Sequence, residues 1–82
     1  MAYQVFVLGG SYNGWKIAIS TDAAITLASR TAPTVSEIYE SRLFRSPSGR
    51  TGRFLVLKGL PPEAAISELN RLFPRASSWT VA

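Results

Sequence analysis

A run of nine residues, RSPSGRTGR at Arg45–Arg53, holds the side chains of this chain that are best suited to bind an anion. It combines three arginines with three hydroxyl residues, two glycines and a proline, and it has no aliphatic or aromatic side chain to bury. Guanidinium groups match phosphate oxygens, hydroxyls donate to them, and glycines allow the backbone to come close. The run therefore predicts an exposed loop that binds phosphate groups.

Positive charge extends to both sides of this loop. No acidic residue occurs between Ser41 and Pro62, whereas the whole chain carries a formal net charge of +4. Such an excess fits nucleic acid, an anionic membrane surface or an acidic protein as the partner. The predicted nucleic-acid-binding residues are Arg42, Arg45, Ser48, Arg50, Arg53 and Lys58, with Lys16 and Tyr12 extending the footprint.

The residues that most enzymes and metal sites need are missing. The chain has no histidine and no cysteine, which removes the commonest general base, thiolate nucleophiles and the commonest zinc ligands. The pairs Glu37/Glu40 and Glu63/Glu68 could hold a cation, but each carboxylate also suits a helix cap, a first turn or an ion pair. We therefore expect a protein that is not an enzyme and has no cofactor and no metal.

A polar and aromatic turn, SYNGW at Ser11–Trp15, is a second candidate contact. Tyr12 lies beside Lys16 in sequence and could stack on a base. Trp15 alternates with Ile17 and Ile19, so it is expected to share their buried face.

Several elements follow from hydrophobic patterning. Tyr3–Leu8 and Trp15–Ser20 read as strands of a hairpin, because the first is β-branched and aromatic and the second alternates. A continuous apolar run predicts a buried strand at Phe54–Leu57. A proline pair followed by helical spacing predicts a helix at Glu63–Phe73, and a short last strand is possible at Trp79–Val81.

Two segments in the middle of the chain are harder to assign. Ala23–Ser29 reads as a short helix capped by Thr21 or Asp22. Thr34–Phe44 reads as a helix through a Thr34/Glu37 capping box or as a strand through its β-formers, and the helix is slightly favoured. The predicted fold is α+β, one domain over residues 1–82, with a small antiparallel β-sheet and two or three helices packed on one face.

The order VFVL at Val5–Leu8, WKIAIST at Trp15–Thr21 and TAP at Thr31–Pro33 resembles small GIY-YIG nuclease domains. ELNRLF at Glu68–Phe73 and SSW at Ser77–Trp79 are similar to later parts of that family. The catalytic pattern departs from the family, because Phe6 stands near the first tyrosine and Thr26 stands where an arginine is expected. The resemblance implies a nuclease scaffold that has lost cleavage.

A second resemblance is to the helix-turn-helix modules of phage and intron-encoded nucleases. It takes Asp22–Ser29 and Thr34–Phe44 as the two helices and the arginine-rich run as a wing. It implies that Ser36, Glu37, Glu40 and Ser41 face the groove of DNA.

The expected function is non-catalytic binding of DNA or RNA by a small regulator from a phage or mobile element. The alternative is a protein-interaction module, such as a phage-type inhibitor that docks on an acidic or nucleic-acid-binding host protein. The N-terminus has no basic region before its apolar stretch, and no apolar run has the length of a membrane span. A cytoplasmic protein without a membrane partner is therefore expected.

Overall fold

The fold is known from a computed structural model that describes residues 2–21, 23–74 and 78–82. In chain order the elements are strand β1 (Tyr3–Leu8), a 3-10 turn (Gly10–Tyr12), strands β2 (Lys16–Ile19), β3 (Ile25–Ala28), β4 (Ser36–Arg45) and β5 (Thr51–Leu57), helix α1 (Pro62–Leu72) and strand β6 (Thr80–Val81).

The strands form one curled, half-barrel sheet. Its order is β2-β1-β5-β4-β3, and β6 pairs with the end of β4. All pairings are antiparallel except β1 with β5, which run parallel. The sheet is therefore mixed and not purely antiparallel as predicted. The adjacent strands β1 and β5 run parallel, and the outer strands β2 and β3 come between them in the sequence.

The prediction of two or three helices is wrong, since the described residues contain one α-helix. The segments expected to be helical, 23–29 and 34–44, contain β3 and most of β4. Asp22, the expected cap, lies outside the described residues, as does Ser77. The two helices that the helix-turn-helix resemblance needs are therefore strands, and residues 36–41 are not on a recognition helix.

The long strand β4 explains the error. Its ten residues include only two buried side chains, Tyr39 and Phe44, which lie on opposite faces of the sheet. Neither face of β4 therefore shows a continuous apolar alternation. The strand is held instead by β5 on one side and by β3 and β6 on the other.

Two cores cover the two faces of the sheet. On the helix face, buried residues of the sheet pack against Ala65 and Leu69 of α1. On the opposite face, where the sheet curls, Tyr39 packs with side chains of β1, β2 and β5. The residues of these two groups are Leu8, Phe44, Phe54 and Val56 on the helix face, and Val5, Val7, Ile19 and Leu55 with Tyr39 on the other.

Helix α1 confirms the prediction from the proline pair. Pro62 stands at its first turn, where no intrahelical N–H is needed, and Glu63 lies favourably in the field of the helix dipole. The β1–β2 hairpin and the strand after Arg53 are also confirmed. No helix within the described ranges has both the length and the hydrophobicity to cross a membrane.

Candidate nucleic-acid interface

The arginine-rich segment forms the end of the β4–β5 hairpin. The pairing of β1 with β5 joins Phe6–Leu8 to Phe54–Val56. Residues 51–53 of β5 lie outside that ladder and pair with β4 alone. We call residues 43–53 the ribbon; they comprise the last paired residues of β4, the closing loop and the first residues of β5. Short β6 flanks the ribbon at Phe44 and Arg45.

The loop of the ribbon is a tight turn with defined geometry. Ser46 O accepts from Gly49 N at 2.9 Å, and Ser46 N donates to Arg50 O at 2.8 Å. Pro47 occupies the second position of this turn, which its fixed φ favours, and Gly49 has a φ of +89°. The backbone N–H groups of Ser46 and Gly49 are thus used inside the turn. The expected anion-binding backbone nest loses those two donors.

The side chains of the loop are more accessible than its backbone. Ser48 and Arg50 are exposed, and the hydroxyls of Ser46 and Ser48 lie 2.9 Å apart. Such a hydroxyl pair still offers a proton to an incoming phosphate oxygen. The sequence prediction of an exposed polar tip is confirmed by these exposures.

The arginines of β4 and β5 divide between the two faces of the sheet. Arg45 pairs with Thr51 and shares a face with Arg53, whose Nη1 donates to Ser41 Oγ at 2.7 Å. Arg42 is opposite Phe54 on the helix face and lies 3.6 Å from a Glu40 carboxylate oxygen. Arg45, Arg50 and Arg53 therefore belong to the ribbon, and Arg42 faces the other way.

The remaining predicted contacts lie far from the loop. Lys58 follows β5 at its opposite end, about 17 Å beyond Arg53 at ~3.3 Å per residue. Lys16 is on the outer strand β2, three strands from Arg42 in the same row, or about 14 Å away at ~4.8 Å per strand. Its Nζ lies 5.5 Å from the centre of the Phe6 ring. The structure does not bring these lysines to the ribbon.

Tyr12 also lies at the end of the sheet opposite the loop, in a network that the sequence did not reveal. Its hydroxyl donates to Ala28 O at 2.8 Å. Its ring makes edge contacts with Trp15 and Tyr39, with centroids 5.8 and 6.2 Å apart. These contacts give Tyr12 a structural role and leave little of its ring for a base.

The centre of this network is the carboxylate of Glu37. It accepts from Ser11 Oγ at 2.6 Å and from Ser11 N at 3.1 Å. Tyr39 Oη lies 3.2 Å from the same carboxylate and 3.0 Å from Gly9 O, and it can donate its proton to one of them at a time. We call Ser11, Tyr12, Arg30, Glu37 and Tyr39 the Glu37 cluster.

Arg30 links this cluster to an exposed aromatic ring. Its backbone N–H donates to Ser11 Oγ at 2.9 Å, and its guanidinium lies 3.8 Å from the centre of the Trp15 ring. Trp15 is 45% exposed, so the expectation that it is buried with Ile17 and Ile19 is wrong. The reason is that β2 begins at Lys16, and Trp15 belongs to the turn.

The hydrogen bonds and burial in the Glu37 cluster shift the pKa values of two of its groups in opposite directions. The hydrogen bond from the Ser11 hydroxyl lowers the pKa of Glu37 below its usual range, despite partial desolvation. Burial raises the pKa of Tyr39 to about 12. A carboxylate that is already ionised and fully occupied by donors is a poor proton carrier near neutral pH. The cluster joins the turn at Ser11 and the loop at Arg30 to strand β4.

A hydrogen bond from Asn13 to Glu68 fastens the β1–β2 turn to α1, and an ion pair with Arg71 of the same helix holds the Glu68 carboxylate. Glu68 accepts from Arg71 Nη2 at 2.6 Å and from Asn13 Nδ2 at 3.0 Å. The hydrogen bonds from Arg71, and then from Asn13, lower the pKa of Glu68. Within the described ranges, no three acidic side chains come close enough to form a metal site.

The sequence predicts the exposed tip of the ribbon because local composition alone marks it. It missed the Glu37 cluster because Ser11, Arg30 and Glu37 come from three separate loops and strands. No protein family, no curated protein and no solved structure matches this chain.

Proposed function

We propose that this protein binds nucleic acid without cutting it, through the ribbon. One observation carries the proposal: the end of the β4–β5 hairpin carries Arg45, Arg50 and Arg53, and the sequence holds no carboxylate side chain between residues 41 and 62. The major groove of B-form DNA admits β-structure as well as a helix, and the cationic end of the hairpin suits the phosphates that border the groove.

Arginine supplies most of the expected affinity. Arg50 projects from the loop, and Arg45 and Arg53 share one face of the ribbon. Three phosphate contacts give a slope of log affinity against log salt of about −2.7, at about −0.9 per phosphate. Because the major groove of A-form RNA is deep and narrow, binding should favour duplex DNA over duplex RNA.

The test compares two double variants with the same change in charge. Arg45→Ala/Arg50→Ala removes two cations from the ribbon, and Lys16→Ala/Lys58→Ala removes two that lie elsewhere. Fluorescence anisotropy with a random duplex DNA over a series of salt concentrations measures affinity and slope. The ribbon variant should flatten the slope by about 1.8, and the lysine variant should change it little.

Both arginines are exposed, so their removal should change the free energy of unfolding by less than about 0.5 kcal/mol. Urea unfolding of the same variants provides this control. Equal loss of binding in both double variants would show a dependence on net charge alone and would contradict the ribbon assignment. Absence of binding by the wild type at low salt would favour the alternative, an acidic protein partner.

A further inference from the structure

A cavity on the helix face has no part in the proposed function. It has a volume of about 250 Å³ and lies between the start of α1 and the strands β4, β5 and β6. Its walls come from β4, β5, β6, the loop residue Leu60 and the start of α1, and among the wall residues that the structure describes Arg42 carries a charge. The lining residues are Arg42, Leu43, Phe44, Val56, Leu60, Pro62, Ala65, Val81 and Ala82.

The walls of this cavity are apolar and well fixed at its base. Phe44, Val56 and Ala65 are buried, with at most 1% of each exposed. An apolar cavity of about 150 Å³ can hold benzene, and drug-sized ligands fill about 300 Å³ or more. The volume here therefore suits a ligand of one ring or a short branched chain, with a polar group at its mouth.

The charge at the mouth selects the polar group. Arg42 lines the cavity and its side chain is 52% exposed, whereas Glu40 is not a wall residue. The distance of 3.6 Å between Arg42 Nη2 and Glu40 Oε1 is too long for a hydrogen bond. Glu40 therefore does not use the N–H donors of the Arg42 guanidinium, which a ligand could accept from. Pro62 places the positive end of the α1 dipole at the same wall, although exposed Glu63 follows it.

We propose that this cavity binds a small monocarboxylate with an aromatic or branched apolar body. The body fills the space over Phe44, Val56 and Ala65, and the carboxylate accepts hydrogen bonds from the guanidinium of Arg42. An Arg–carboxylate pair is frequently bidentate, which fixes the orientation of the ligand at the mouth. Glu40 opposes this binding through like-charge repulsion.

The test uses 3-phenylpropionate as the probe and 3-phenylpropan-1-ol as its uncharged counterpart. Amide chemical shifts of the full chain are followed during each titration. Saturable shifts are expected at Phe44, Val56 and Ala65, and the alcohol should bind about tenfold more weakly because it lacks the charge-assisted pair. Wild-type binding without shifts at these three residues would overturn the proposal.

Two substitutions of solvent-accessible charged residues test how charge at the mouth affects the affinity for the carboxylate, and neither is expected to disrupt the fold. Arg42→Gln should bring the affinity for the carboxylate down to that for the alcohol, and Glu40→Gln should raise it. The ribbon variant Arg45→Ala/Arg50→Ala serves as the control and should bind the probe as the wild type does. A carboxylate affinity that is unchanged in Arg42→Gln would overturn the assignment.

Discussion

The two ends of the sheet differ in how their segments are held together and in which side chains they expose. At one end, the Glu37 cluster ties three segments together through short hydrogen bonds and buries the ring of Tyr39 completely. At the other end, Phe44 anchors the base of the ribbon in the helix-face core, and beyond it Arg45 and Arg50 are exposed to solvent. The comparison indicates that side-chain contacts between separate segments fix one end, whereas the tip of the other end carries exposed cations.

The largest expected contrast is between two side chains on the same strand. Tyr39→Ala removes a fully buried ring near the Glu37 end and should lower the free energy of unfolding by about 3–5 kcal/mol. Leu43→Ala, at the ribbon, removes a side chain that is 42% exposed and should cost less than about 1 kcal/mol. Urea unfolding measures both. Similar losses at the two positions would show that the ribbon is as strongly packed as the other end.

A pair of glycines gives a smaller and more local contrast. Gly10 and Gly49 have φ values of +70° and +89°, so alanine is strained at both. A Cβ at Gly10 would also collide with Tyr39 Oη and approach the Glu37 carboxylate, whereas one at Gly49 would meet open space.

We therefore expect Gly10→Ala to cost about 2–3 kcal/mol and Gly49→Ala about 1 kcal/mol, since the left-handed conformation alone costs about 1–2 kcal/mol. Thermal and urea unfolding provide the two free energies. If Gly49→Ala were the more damaging variant, the turn of the ribbon would be under greater constraint than its surroundings indicate.

The smallest expected effect is the dependence of stability on pH. Because the pKa of Glu37 is lower in the folded chain than its ordinary value of 4.5, its carboxylate stabilises the fold fully above that pH. The stabilisation is lost as the pH falls through the folded-state pKa. Glu68, whose pKa is also lowered, contributes in the same range.

Urea unfolding from pH 7 to pH 3 should therefore show wild type losing stability below about pH 4.5, more steeply than Glu37→Gln. The difference between the two proteins should be largest at pH 7 and shrink as the pH falls. Parallel curves would mean that Glu37 is not held by Ser11 in solution.

Local sequence was sufficient to predict those elements whose residue pattern fits a single type of secondary structure. The proline pair and helical spacing give α1, and β-branched and aromatic residues give β1. The local sequence failed to predict β3, because its Ala and Leu residues favour a helix. In the structure, Ile25 and Leu27 lie on the same face of this strand and pack against the core that contains Tyr39. Pairing with β4 outweighs the weak local preference there.

Composition by itself determined that the segment 45–53 is cationic and that its tip, residues 47–51, is exposed, since this segment has no aliphatic or aromatic side chain to bury. Only the tertiary structure decided which cations act together. Strand alternation turns Arg42 toward the helix face, and the length of β5 carries Lys58 to the opposite end. The Glu37 cluster likewise exists only because the curled sheet brings Ser11, Arg30 and Glu37 together, across separations that no local pattern encodes.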